Sequence, residues 1–201
     1  MKVLGITGGV GAGKSTVLTY LAKSYGAYVI QADQVGHYLM ELGQECYYQI
    51  VEVFGSGILN GDQTIHRARL GEIVFHDKAK LKKLNTIIHP AVKAYIAREI
   101  EAEQVKNTAP FIVIEAALLI EDNYDKLCTQ FWYIDTPVQI RTKRLMESRG
   151  YSAEQVVKIM ENQLPKMEFL KRCQFIVDNS SDFVENTYKQ IDKGLVEHGF
   201  M

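Results

Sequence analysis

The segment Gly8-Gly9-Val10-Gly11-Ala12-Gly13-Lys14-Ser15 constrains this chain more than any other. It matches the pattern GxxxxGK[ST] in full, and its surroundings match too. An apolar run from Val3 to Thr7 precedes it. A stretch with Leu18 and Leu21 at helical spacing follows, from about Lys14 to Ser24. Glycine at 11 and 13 lets the backbone curl with its N–H groups pointing inward, where a Cβ would obstruct; Ala12 lies between them in the same cradle. The amino end of the following helix adds partial positive charge. Lys14 can reach the β and γ phosphates of a nucleotide, Ser15 can ligate Mg²⁺, and Thr16 can donate to the α-phosphate. The motif predicts a strand–loop–helix unit that binds a nucleotide. It leaves open what the nucleotide is for.

Charge and cysteine usage narrow the class. Across 201 residues, 23 Lys and Arg face 24 Asp and Glu, so the net charge is −1 with neutral histidine. That balance gives no global pull toward nucleic acid or an anionic membrane. Cys46, Cys128 and Cys173 are odd in number and widely spaced, with no CxxC. This argues against a disulfide framework or a zinc site and for reduced thiols. The amino-terminal apolar run is too short for a signal peptide. The richest apolar stretch, Phe111 to Ile120, contains Glu115 and falls far below the roughly 18 residues of a membrane span. The expectation is a soluble cytoplasmic protein, a monomer or weak homo-oligomer, with neither nucleic acid nor membrane as partner.

Short apolar runs alternate with amphipathic stretches, which predicts an α/β fold with a parallel sheet of five strands. The strands are Val3–Thr7, Ala27–Gln31, Phe111–Glu115, Phe131–Asp135 and Phe175–Asp178. Ser152 with Gln155 reads as a capping box opening a helix with Val156, Ile159 and Met160 on one face. Asp182 with Glu185 reads as the start of the last helix, with a stripe of Val184, Tyr188, Ile191 and Leu195 and Gly199 past its end. From about 34 to 108 the patterns are helical only. That is too long for an ordinary connection, so it is expected to be an insertion with its own task. The core would then be about 1–33, 109–137 and 166–201, with a lid at about 138–165 hinged near Gly150. Together they form one three-layer nucleotide-binding domain.

Other nucleotide-binding classes lack their marks. A GTPase would carry a base-reading NKxD, and an ABC-type ATPase an LSGGQ; neither occurs. A partitioning ATPase would carry an early lysine where Gly9 stands. Small-molecule kinases need a carboxylate past the second strand, arginines on a lid and an acceptor pocket built from an insertion. Asp33 fits the first need as general base, and equally fits an N-cap of the helix from Gln34. Arg141 and Arg144 share a helix face and Arg149 sits at the bend before Gly150; each could be a lid cation or part of a solvated basic face. Lys143 points elsewhere on that helix.

Several segments in order resemble the dephospho-CoA kinase family. The loop Gly5-Ile6-Thr7-Gly8-Gly9-Val10-Gly11-Ala12-Gly13-Lys14-Ser15-Thr16 is similar to that family's GLTGGIGSGKST. Gly26-Ala27-Tyr28-Val29-Ile30-Gln31-Ala32-Asp33 resembles GA-x-VIDAD. Phe54-Gly55, Arg67-x-x-Leu70-Gly71-x-x-Val74-Phe75, His89-Pro90, Leu118-Leu119-Ile120-Glu121, Gln163 and Val177-Asp178-Asn179 recur in the family's order. The resemblance covers about residues 3 to 180 and is far more specific than the loop alone.

The resemblance implies transfer of phosphate from ATP, with Mg²⁺, to the ribose 3′-hydroxyl of dephospho-CoA, giving coenzyme A and ADP. It implies Asp33 as general base, Lys14 and Arg144 as catalytic cations, and the insertion as the holder of the acceptor. Arg141, Arg149 and His89 are the candidates on the substrate and lid side, and Ser15 and Glu115 those at the metal, although Glu115 could equally be a buried carboxylate satisfied by backbone. Some positions depart from the family. Gln31 stands for Asp, Glu115-Ala116-Ala117 for D-x-P, Arg141 for a common Gln, Ser148-Arg149 for Arg-Asp, and Cys173-Gln174 for Ala-Asp. His89-Pro90 could touch substrate or start a helical turn. Lys78, Lys80, Lys82 and Lys83 read as a solvated face, and Trp132 as packing. The alternatives are another small-molecule kinase, acting on a nucleoside, a nucleotide or a shikimate-like alcohol, and a non-catalytic nucleotide-binding switch.

Overall fold

Apolar runs with buried residues at every position cannot sit on a half-exposed sheet; they need cover on both faces. Val3–Thr7 and Ile112–Glu115 are such runs. The computed structural model, which describes residues 1–161 and 163–201, places them at the centre of a sheet. The strands are β1 (Val3–Thr7), β2 (Tyr28–Gln31), β3 (Ile112–Glu115), β4 (Gln130–Asp135) and β5 (Phe175–Asp178). Their order across the five-stranded parallel sheet is β2-β3-β1-β4-β5. The helices are α1 (Lys14–Tyr25), α2 (Ala32–Leu39), α3 (Glu45–Phe54), α4 (Arg67–Phe75), α5 (Lys78–Lys106), α6 (Val138–Arg149), α7 (Ala153–Glu161), α8 (Lys166–Arg172) and α9 (Val184–Glu197).

The register explains where chemistry can gather. β1 pairs with β3 through Ile6 opposite Glu115, and with β4 through Thr7 opposite Tyr133. The carboxyl end of β1 therefore lies between the ends of its two neighbours, at the point where crossovers leave to opposite sides. Parallel α/β sheets bind ligands at such points.

The chain forms two compact units, Met1–Ile30 with Glu103–Met201, and Gln31–Ala102. In the first, Leu4, Ile6, Val17, Leu18, Leu21, Trp132, Ile134, Val177, Ile191 and Leu195 form one buried cluster. Trp132 is fully buried, as expected of a packing residue. Tyr20 and Tyr25 of α1 both donate to Asp192 Oδ1 of α9, at 2.7 and 2.6 Å, and Tyr20 stacks on Tyr188. Gly194 lets α9 approach the sheet. A Cβ there would stand 2.6 Å from Phe175 and 2.8 Å from Trp132. Gly194→Ala is expected to lower stability by about 1–3 kcal/mol through overpacking. Urea unfolding checks this; an unchanged midpoint would contradict it.

Two local expectations are corrected. The last helix does not open on a capping Asp182. It begins at Val184 after an extended Phe183, with no side-chain cap on its first turn. The Ser181 hydroxyl instead accepts from the Phe183 N–H and from Asn186. Pro90 does not start a helical turn either, because it lies deep inside the 29-residue α5. Interior proline loses a backbone hydrogen bond and costs about 3 kcal/mol. Here the helix runs through it, with Leu84, Val92, Ile96 and Ile100 buried along one face. The box at Ser152 forms as expected. The Ser152 hydroxyl accepts from Gln155 N–H at 3.2 Å, and Gln155 Oε1 accepts from Ser152 N–H at 2.9 Å.

The second unit holds α2 to α4 and most of α5, with a single antiparallel bridge between Leu59 and Ile65. Val35, Leu39, Cys46, Tyr47, Ile50, Leu70, Val92 and Ile96 are buried within it. Lys78, Lys80, Lys82 and Lys83 are exposed, as a solvated face requires. Among the described residues no helix is long and apolar enough to cross a membrane.

Candidate active site

The site starts at the carboxyl end of β1, where residues 8 to 13 turn back on themselves before α1. Ala12 N–H donates to Gly9 C=O at 3.1 Å, closing the turn. Gly11 and Gly13 adopt φ of 78° and 85°, the left-handed region that glycine alone enters without strain. The two glycines at 9 and 13 serve a second purpose. A Cβ on Gly9 would collide with the Arg141 guanidinium, and one on Gly13 with the Asn179 amide. The amino end of α1 has no side-chain cap, so its first turn faces the loop uncapped. Such an end attracts anions. Ser15 is exposed and Thr16 half-buried in this turn.

Lys14 folds back over the loop. Its ammonium donates to Gly8 C=O at 2.9 Å and lies 3.5 Å from Glu115 Oε1 at the end of β3. Both side chains are largely buried, 15% and 9% exposed. Glu115 thus balances the lysine charge beneath the cradle.

A buried hydrogen-bond set fixes the loop from behind, and sequence reasoning did not find it. Asn179 Nδ2 donates to Ala12 C=O at 2.7 Å, and Thr136 Oγ1 donates to the same carbonyl at 3.1 Å. The Thr187 hydroxyl of α9 donates to Asn179 Oδ1 at 2.8 Å, fixing the amide's orientation. Asn179 follows β5 and Thr136 follows β4, so two strand ends hold one loop. The one local signal was polar residues just past two apolar strands.

The helix α6 brings two arginines to the same place. Arg141 Nη1 donates to Gln163 Oε1 at 3.1 Å and lies 3.5 Å from Val10 C=O. Arg144 Nη2 donates to Asn179 C=O at 3.1 Å. Thr7 Oγ1, Arg141 Nε and Arg144 Nη1 are buried polar atoms with no hydrogen-bond partner among the described residues. Buried donors of this kind are costly unless a ligand satisfies them. A depression of about 300 Å³ opens beside Arg144, lined by Gly13, Thr16, Arg144, Asn179, Ser181, Asp182 and Val184. Arg149 is exposed at the last position of α6, and Gly150 ends that helix in the left-handed conformation.

The segment after α6 is anchored at the end of β4. Lys166 pairs with Asp135, and Tyr133 stacks on Phe169 at 4.8 Å. Burial, with help from the Asp135 charge, pushes the Tyr133 phenol up to about 12. It stays neutral at physiological pH. The Cys128 and Cys173 thiols are also pushed up to about 12 by burial, so neither supplies a thiolate.

The loop residues, Glu115, Arg141 and Arg144 come together within the first unit. Asp33 and His89 belong to the second. Asp33 is not an N-cap. The helix α2 begins at Ala32 after extended Gln31, so Asp33 is its second residue, exposed, just past the end of β2. A carboxylate there gains from the helix dipole without capping it. His89 is half-buried in α5.

A glycine-rich phosphate loop at the centre of a parallel sheet, with arginines from a following helix, defines the class of P-loop small-molecule kinases. A sequence model of the dephospho-CoA kinase family matches residues 2–185. A dephospho-CoA kinase from Lactobacillus johnsonii is 39% identical over 177 residues, 88% of each chain. Among solved structures, a Thermus thermophilus protein aligns with a TM-score of 0.80 and 26% identity over 98% of this chain and 97% of its own. The Campylobacter jejuni dephospho-CoA kinase aligns with a TM-score of 0.72 and 27% identity over the full length of both. The chain belongs to the dephospho-CoA kinase family. It is a kinase for the ATP-dependent phosphorylation of dephospho-CoA in coenzyme A biosynthesis.

Proposed function

We propose that phosphate passes from ATP to the ribose 3′-hydroxyl of dephospho-CoA with the following division of work. The backbone of Gly11, Ala12 and Gly13 cradles the phosphates, and Lys14 draws on the β and γ groups. Ser15 and Thr16 face the phosphate chain from the first turn of α1. Arg141 and Arg144 offset the charge of the bound phosphate chain. Asp33 takes the proton of the acceptor hydroxyl, which is the role its position after β2 suits. Residues at about 34–108, His89 included, hold the acceptor. Residues at about 138–165, with Arg149, form a lid that excludes water.

The observation that carries the reading is the set of buried, partnerless donors around the loop, at Arg141 and Arg144. They match an anionic ligand, and among the described residues no group satisfies them. The donor set also fits Mg²⁺. Ser15 and Glu115 supply hard oxygens at the first turn of α1 and beside Lys14. That is what Mg²⁺ needs, since it binds through one or two protein oxygens plus phosphate and water. When bound it would neutralise charge on the phosphate oxygens. The enzyme is proposed to work in the cytoplasm as a monomer or weak homo-oligomer, consistent with three unpaired cysteines.

Product analysis tests the reading. Phosphorus NMR of the product is expected to show phosphate on the ribose 3′ position, with turnover lost on chelation and restored by Mg²⁺. A 2′-phosphate, or turnover unaffected by chelation, would contradict it.

A further inference from the structure

We infer that Arg141 and Arg144 divide the phosphate chain between them: Arg141 holds the transferring phosphoryl group, and Arg144 holds the nucleoside end of ATP. This rests on the kinase reading above and assigns what the sequence left open.

The loop has two ends, and the structure marks each. The Lys14 ammonium, the group that reaches the β and γ phosphates in loops of this type, sits at Gly8 C=O. The γ end is therefore the Gly8–Val10 end. Thr16, suited to the α-phosphate, begins the other end. Arg141 lies on the first. Its guanidinium covers Gly9, where a Cβ would overlap it, and Nη1 is 3.5 Å from Val10 C=O. Arg144 lies on the second. Its Nη1 is 3.5 Å from where a Cβ of Gly13 would stand, and it lines the 300 Å³ depression with Thr16, Ser181, Asp182 and Val184. That volume lies at the lower end of the range for small-molecule sites. Residues three apart on a helix hold their Cβ atoms roughly 5–6 Å apart. One helix face can therefore address both ends of the phosphate chain.

Two further contacts support the assignment. Gln163 accepts from Arg141 at 3.1 Å and holds the guanidinium at its end of the loop. One turn beyond Arg144, Ser148 returns its hydroxyl to Arg144 C=O at 2.6 Å and brings no cation, while Arg149 points to solvent. Arg141 is thus the arginine of α6 placed at the γ end.

The test compares Arg141→Gln and Arg144→Gln in steady state with dephospho-CoA. Arg141→Gln is expected to lower kcat at least about 20-fold with the ATP KM within about threefold. Arg144→Gln is expected to raise the ATP KM about tenfold with kcat within about threefold. Ser148→Arg added to Arg141→Gln should recover part of the lost kcat. Arg141→Lys guards against a folding defect. It keeps the charge but loses the guanidinium fork, so binding of ADP with fluoroaluminate should weaken while binding of ADP alone does not. Exchanged effects of the two Gln variants, or fluoroaluminate affinity unchanged in Arg141→Lys, would overturn the division. Failure of the wild-type enzyme to phosphorylate dephospho-CoA would instead overturn the reading beneath it.

Discussion

Asp33→Asn is expected to lower kcat by at least about 100-fold while ATP binding stays nearly unchanged. The substitution keeps the shape and removes the base. Asp33 is exposed and makes no cap, so folding asks little of it. The helix-dipole contribution lost with its charge is about 0.3–1 kcal/mol, too small to unfold the enzyme. The phosphate loop is fixed within the first unit by Asn179 and Thr136. A defect confined to turnover therefore identifies the carboxylate with proton removal. Nucleotide titration alongside steady-state kinetics reads both quantities. Loss of ATP binding, or kcat within about fivefold of wild type, would remove Asp33 from the proposed role.

Lys14→Ala is expected to reduce kcat/KM by about 1000-fold or more, because the cation at the γ end disappears from a site shielded from water. The same change removes the cation 3.5 Å from Glu115, whose side chain is 9% exposed. Some stability should go with it. The double variant Lys14→Ala with Glu115→Gln separates the two effects. It is expected to recover most of the lost urea midpoint and none of the lost activity. Near-normal activity in Lys14→Ala would refute the phosphate-loop assignment.

Much of the framework was legible because it is local. β1 and β5 end where their apolar runs end, and β2, β3 and β4 differ from expectation by one residue at one end. The capping box at Ser152 and the glycines at 11 and 13 act over a few residues, so their pattern survives in the sequence. The latch behind the loop does not. Asn179 and Ala12 are 167 residues apart, and no periodicity links them. Asp182 misled because cap-forming residue types also occur in turns that precede a helix. Pro90 misled because tertiary burial along α5 overrides a local breaker. The arginines were recognisable as cations but not as a pair with separate stations, since that depends on where Gly9, Gly13 and Asn179 meet them.

Acceptor-dependent ADP formation tests the central claim most directly. Purified enzyme with Mg²⁺ and ATP would be assayed alone and with dephospho-CoA, adenosine, AMP or shikimate. The account predicts ADP only with dephospho-CoA, one coenzyme A for each ADP, and near-silence otherwise. ADP release driven by another acceptor would keep the fold and discard the substrate assignment. Silence with every acceptor, despite ATP binding, would contradict the kinase account altogether and favour a nucleotide-binding switch.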